Sequence, residues 1–389
     1  MKIKSVQAVR LALPPAPPAT TKPRRPSWAA EAEVANPMSR YPQVKRNRAL
    51  WLPRTWEAVW CKVEAEDGTW GLGMSGHGRP VAAIIDDHLA PQLVGQPCLA
   101  HERLADMMYR LTKPYGSTGL ASYAISAVDL ALWDLKGKLL GKAVYELLGG
   151  PARDKQLCYC TGNDVDWYLE LGFKAFKLAC PYGPADGLEG LQKNEEFVAG
   201  AREQIGDDKE LMLDCWMAFD VEYTVRLAER LRPYRLKWIE ECLLSEDLDA
   251  HVECRQRLPW VGLATGEHWY TPVPFMAAIQ RRVVDFLQPD INWCGGVTVC
   301  QKIAHAAEGA GITTILHGGG NTPYGQHFTF AQPSMMWMEV FVGAPPGVPL
   351  GEGGRLPGQA LPQDGYLVPE AGPGFGMEIK PEWISPFFT

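Results

Sequence analysis

The second half of the chain repeats one pattern: a short apolar run, then a stretch of helical periodicity. The runs are Gln156–Thr161, Ala175–Cys180, Leu211–Cys215, Lys237–Cys242, Val261–Thr265, Phe286–Pro289, Thr313–Leu316 and Met335–Val342. Continuous apolar strands alternating with amphipathic helices are parallel strands buried on both faces, and eight such units close into a barrel. An ionisable residue closes most of the runs: Lys177, Asp214, Glu240, Glu267, Asp290, His317 and Glu339. From Asp214 onward the gaps are 26, 27, 23, 27 and 22 residues, about one strand–helix unit each. Groups spaced in this way project into the C-terminal mouth of a barrel, where the active sites of such folds lie.

The first 150 residues follow a different pattern. Residues 1–13 alternate apolar and polar and read as an edge strand. Six prolines between Pro14 and Pro26 rule out regular structure there, and a long loop of this kind suits a lid. Ala58–Glu66 and Thr69–Met74 flank Asp67-Gly68, a hairpin signal. From about Val81 to Leu148 the pattern is helical, with Ile125, Val128, Leu132, Leu135 and Leu139 on one stripe and Gly149-Gly150 ending it. The expected organisation is an α+β module over 1–150, a barrel over 151–345, and a Gly/Pro-rich segment over 346–389. That last segment holds a short strand at Gly365–Pro369 and returns to the first module.

Composition narrows the function. A net charge of −7, with basic residues clustered only at Lys22–Arg25 and Lys45–Arg48, argues against a nucleic-acid surface. No apolar stretch approaches the roughly 18 residues of a membrane span, and the N-terminus makes a poor signal peptide. The ten cysteines contain no C-x-x-C pair, so buried reduced thiols and a cytoplasmic setting are expected.

Taken singly, an acid at a strand end is an ordinary helix cap or salt-bridge partner. Asp290 after a proline could begin a turn, and His317 before three glycines could be a core histidine. Taken jointly, so many ionisable strand ends are hard to obtain by chance. Unpaired, the buried carboxylates would repel one another, and a divalent cation removes that objection. Three carboxylate oxygens with open positions suit Mg²⁺. Glu241, directly after Glu240, should point the other way and be structural. His268 is open to either role, metal ligand or substrate contact.

The runs Leu-Met-Leu-Asp214-Cys-Trp, Lys-Trp-Ile-Glu240-Glu-Cys-Leu, Thr-Gly-Glu267-His, Gln-Pro-Asp290-Ile-Asn-Trp-Cys-Gly-Gly and Leu-His317-Gly resemble the mandelate-racemase branch of the enolase superfamily. The likeness extends along most of the chain. Asn36-Pro-Met-Ser-Arg-Tyr41, Met212–Met217 and Trp238–Leu243 are most similar to the rhamnonate dehydratase family within it. The resemblance implies an α/β fold, a modified (β/α)₇β TIM barrel with an N-terminal α+β capping domain. It implies Mg²⁺ on Asp214, Glu240 and Glu267, with His317 as base oriented by Asp290. Glu339 would hydrogen-bond the substrate carboxylate. Arg48, with Arg54 as a helper, would contact the substrate, and an arginine suits an anionic sugar acid. An even-numbered homo-oligomer, such as an octamer, is implied as well.

The racemases of this branch carry a Lys-x-Lys motif at the second strand, which here reads Lys177-Leu178-Ala179. Without the second lysine, one-sided proton abstraction and loss of water are expected rather than racemisation. Lys177 then holds a substrate oxygen or offsets carboxylate charge. The lid departs from the family at Ser27-Trp28, where the family has a histidine before the tryptophan, so L-lyxonate and L-mannonate stand beside L-rhamnonate as candidate substrates. Epimerisation, cycloisomerisation, and a non-catalytic sugar-acid binding protein are the remaining alternatives.

Overall fold

A computed structural model of the chain describes residues 1–15, 20–31, 33–45 and 56–388. The expected substrate contacts Arg48 and Arg54 lie outside the described residues.

Two sheets organise the molecule. Strands β1 (Ile3–Leu11), β2 (Val59–Ala65) and β3 (Trp70–Ser75) form an antiparallel sheet, joined by β13 (Ile384–Pro386) in the order β13-β1-β2-β3. Residues 1–13 therefore do not form an edge. β13 pairs along Val9–Leu11 and covers the outer side of β1, a long-range pairing that local alternation cannot reveal. The helix Leu120–Leu140 is buried nearly all round, because it packs on β2 and β3 with one side and faces helix Gly296–Gly309 with the other. Gly71 and Gly73 make that approach possible, since a Cβ at either would fall 2.1 or 2.0 Å from a backbone oxygen of the helix.

The second sheet holds eight parallel strands. These are β4 (Gln156–Thr161), β5 (Ala175–Ala179), β6 (Glu210–Asp214), β7 (Ile239–Glu240), β8 (Leu263–Thr265), β9 (Phe286–Leu287), β10 (Thr313–Thr314) and β11 (Trp337–Phe341). They pair in sequence from β4 to β10, and β11 returns beside β4. At the seam between β10 and β11, Gly320 N donates to Glu339 O at 2.7 Å. Seven helices, from Val165–Glu170 to Pro323–Ala331, follow the first seven strands, and no helix separates β10's unit from the closing strand β11. The expected (β/α)₇β architecture with a separate antiparallel unit is the fold observed. β12 (Tyr366–Leu367) adds antiparallel to β4, next to the barrel rather than the first sheet.

The strands are short, so their alternation places one layer of side chains above another. Tyr159, Ala175, Met212, Trp238, Ala264 and Ile315, with Phe286 and Trp337 against them, fill the barrel interior. Two residues further along seven of the eight strand lines come Thr161, Lys177, Asp214, Glu240, Gln288, His317 and Glu339, and Gly266 takes that place after Ala264. An aromatic plug thus floors a polar mouth. All ten cysteines are buried and free, Cys158 and Cys160 flanking the inward Tyr159 on the outer face of β4.

Candidate active site

The centre of the mouth is a charge cluster built on buried Lys177, Glu240 and Glu339. Lys177, fully buried on β5, forms ion pairs with Glu240, with Glu339 at 2.8 Å and with Asp214 at 3.6 Å. Burial works against its charge, but Glu240 and Glu339 outweigh it and hold the ammonium above its ordinary range. Lys177 therefore offsets the charge of three protein carboxylates. Glu339 has both oxygens engaged by protein donors, Thr161 Oγ1 and Lys177 on one and Gly318 N at 2.8 Å on the other. Those cations and donors overcome burial and hold its carboxyl down at about 2.

Glu240 is held by three donors. Lys177 takes one oxygen, and Trp238 Nε1 at 2.9 Å and Gln288 Nε2 at 2.7 Å take the other. Even so, burial together with Asp214, Glu339 and Glu267 pushes it up to about 8, Lys177 opposing. Asp214, whose Oδ1 accepts from Trp216 N, is also raised, by burial and then by Glu267 and Glu339 against Lys177.

Glu267 reaches the mouth because Gly266 turns the chain just past β8. Gly266 has φ 135°, and a Cβ there would sit 2.9 Å from Phe275 and 3.1 Å from Gln288 N. Glu267 lies 3.4 Å from His268 Nδ1 through one oxygen and 3.4 Å from His317 Nε2 through the other. His317 in turn meets Asp290 Oδ2 through Nδ1 at 2.8 Å. Burial lowers the basicity of this imidazole, but Glu267, Asp290 and Glu339 outweigh it and hold it well above the usual range.

Glu241 corrects the expectation drawn from strand alternation. β7 ends at Glu240, and Glu241 adopts φ 45°, so alternation no longer applies and its side chain turns into the same cluster. One oxygen accepts from His268 Nδ1 at 2.8 Å, while the other is buried without a hydrogen-bond partner. Ligand atoms of Glu241, Glu267 and His268 all lie within 4.8 Å of one another. Burial and Glu267 push Glu241 up to about 7, and the carboxylates raise His268 to about 9 despite its burial.

Three further residues escaped the sequence reading. Thr161, Trp238 and Gln288 secure the acids, and Thr161 and Gln288 stand at the same inward strand-end position as Asp214 and Glu240. Trp293 lies between the imidazoles, its ring centroid 5.0 Å from His317 and 5.6 Å from His268. The two basic clusters are partly consumed internally. Arg25 pairs with Asp164 and Asp166, and Lys45 donates to Pro181 O at 2.9 Å beside Glu33 and Asp186. Asp164 also accepts from Trp28 N, which ties the proline-rich segment to the barrel rim.

Six acids facing one lysine and two imidazoles leave an excess of negative charge. Three raised carboxyls and an orphaned buried Glu241 oxygen fit a hard divalent cation among oxygen donors.

Comparisons with known proteins place this fold in a family. Residues 163–383 match the enolase C-terminal domain-like family, and residues 49–149 match the mandelate racemase / muconate lactonizing enzyme N-terminal domain. The chain is 41% identical over 354 residues to an L-rhamnonate dehydratase of Saccharopolyspora erythraea, covering 90% of each. A putative L-rhamnonate dehydratase of Caldivirga maquilingensis is 40% identical over 89% of this chain and 87% of its own length. The crystal structure of rhamnonate dehydratase from Gibberella zeae complexed with Mg superposes with a TM-score of 0.90 at 31% identity, covering 99% of this chain and 96% of that one. With both family domains matched and a relative of this identity covering nine-tenths of its length, the chain belongs to the mandelate racemase / muconate lactonizing enzyme branch of the enolase superfamily.

Proposed function

We propose that this chain is a magnesium-dependent hydro-lyase that dehydrates a sugar acid, L-rhamnonate or a close aldonate, to a 2-keto-3-deoxy acid. The carrying observation is the pair His317–Asp290, joined at 2.8 Å, whose other nitrogen Nε2 faces the carboxylate cluster, 3.4 Å from Glu267. The three curated and structural relatives named above support the substrate class through their names.

In this reading Asp214, Glu240 and Glu267 hold Mg²⁺, with Glu241 and His268 bordering it. Bound there, the ion supplies the positive charge that makes a proton next to a carboxylate acidic enough to remove. Asp290 keeps the proton of His317 on Nδ1, so that Nε2 carries the lone pair that takes the carbon-2 proton. Neutralising Glu267, the first of the groups that raise His317, brings the imidazole back towards neutral pH. His317 then returns the proton to the departing carbon-3 hydroxyl on the same face, and the enol product tautomerises. Lys177 supplies the buried positive charge beneath the substrate carboxylate, with Glu339 fixed beside it by Thr161 and Gly318 N. Position 179 is alanine and Lys177 is tied to three acids, so neither supplies a base on the opposite face. That favours dehydration over racemisation.

Arg48, with Arg54 as helper, belongs to this proposal as a contact for the anionic sugar acid. So do a cytoplasmic location and an even-numbered homo-oligomer. No described helix is long and apolar enough to cross a membrane, and the buried free thiols suit a reducing compartment.

The test is incubation with Mg²⁺ and a panel of sugar acids, assayed for 2-keto-3-deoxy products. Turnover of L-rhamnonate, L-mannonate or L-lyxonate supports the reading. Carbon-2 deuterium exchange without product would overturn dehydration and leave enolisation. His317→Asn should abolish turnover while Mg²⁺ still binds; retained turnover rejects the base.

A further inference from the structure

The loop after β9 carries Asp290, Asn292 and Trp293 into the helix Gly296–Gly309. It belongs to the barrel, yet the antiparallel unit holds much of it in place. Asn292 Nδ2 donates to Met74 O at 2.9 Å, and Asn292 O accepts from Ser75 Oγ at 2.7 Å. Gly295 N donates to Ser126 Oγ at 2.8 Å. At the first turn of the helix, buried Asp129 accepts from Thr298 N at 3.0 Å and from its Oγ1 at 2.6 Å.

Asn292 is where this clamp reaches the chemistry. Its backbone N–H donates to Asp290 Oδ1 at 2.7 Å, while Asp290 Oδ2 takes His317 Nδ1 at 2.8 Å. One carboxylate is therefore gripped on one side by Asn292 and on the other by the imidazole. Asn292 itself is nearly inaccessible and fixed at both ends of its residue to the last two residues of β3. Rotation of the Asn292 peptide would swing the donor away from Oδ1 and release the carboxylate to turn. A hydrogen bond with one partner free to rotate fixes neither the tautomer nor the ring plane of a histidine.

We propose that Asn292 is a positioning residue through which strand β3 sets the angle of Asp290 against His317. The antiparallel unit is then part of the proton-transfer apparatus and not only a cover for the substrate. This inference rests on reading His317 as the base.

The experiment uses the full-length Mg²⁺-loaded protein with Asn292→Ala, Ser75→Ala, and Thr112→Ala as a control. Thr112 is a buried hydroxyl of the same unit that bonds Met108 O and Tyr109 O, away from the loop. Asn292→Ala and Ser75→Ala should lower kcat on the order of 10–100-fold, the size expected for a small misplacement of a reacting group. Their KM and Mg²⁺ affinity should stay within about twofold, as for loss of an interaction outside ground-state binding. Nitrogen-15 histidine correlation spectra should show His317 protonated on Nδ1 in the parent protein and in mixed tautomers in both variants. Thr112→Ala should lose stability without changing kcat or the tautomer. Unchanged kcat and tautomer in both variants would overturn the proposal, as would an equal fall of kcat in the control. The tautomer measurement needs no substrate, so it separates failure of this inference from failure of the dehydratase reading, which the substrate panel and His317→Asn decide.

Discussion

Raising the pH on chelated, metal-free protein from about 6 to about 8 should destabilise it, because the buried acids of the mouth must then ionise against one another. Glu240 and Glu241 stand at about 8 and about 7 in the fold against an ordinary 4.5. A carboxyl raised by folding favours its neutral form, so stability is highest below the ordinary value and falls as pH climbs through the folded one. The unfolded chain carries both groups ionised throughout this interval, while the folded chain must give up the protons. At about 1.4 kcal/mol per proton per pH unit, giving up these protons between about pH 6 and 8 should cost the fold on the order of a few kcal/mol. His268, raised to about 9, acts in the same direction, because the stability of its charged form is present below its ordinary value and fades as pH rises. The assay is urea denaturation at about pH 6, 7 and 8, with chelator or with Mg²⁺. With Mg²⁺ the decline should vanish or reverse, since a ligand bound to the ionised cluster stabilises the fold by mass action. Binding should also release protons near pH 7–8, readable by titration calorimetry in buffers of different ionisation heat. Metal-free stability that is flat or rises with pH would refute the charge-excess argument.

Three further perturbations follow from particular contacts. Lys177→Met leaves Glu240, Glu339 and Asp214 without their cation, so denaturation in Mg²⁺ should show a loss of about 3–5 kcal/mol, the usual effect of breaking a buried ion pair. Trp238→Phe keeps the aromatic plug but removes the indole N–H from Glu240. It should cost about 1–3 kcal/mol and weaken Mg²⁺ binding by calorimetry. Asp164→Ala releases Arg25 and Trp28 N from the barrel rim, so limited proteolysis within 20–31 should accelerate, and KM for the sugar acid should rise more than kcat falls.

How much of this was legible beforehand follows from the range of the forces involved. Apolar runs at a fixed repeat force parallel strands buried on both faces, and that requirement is local, so the barrel and the mouth-facing Asp214, Glu240, His317 and Glu339 could be read directly. Glu241 could not, because alternation fails where a strand stops. Its φ of 45° accompanies a bond from Met217 N, in the loop after β6, to Glu241 O. β1 looked like an edge because β13, which covers it, arrives from the far end of the chain. The sharing of Lys177 among three acids, the grip of Trp238 and Gln288 on Glu240, and the hold of β3 on Asn292 all join residues far apart in sequence. Chain order carries the residue types and their spacing, which name a carboxylate-rich proton-abstracting site. Only the closed barrel and the sheet packed on it decide which carboxylates are spent on protein donors and which are left for a cation, because that division depends on through-space charge and on burial.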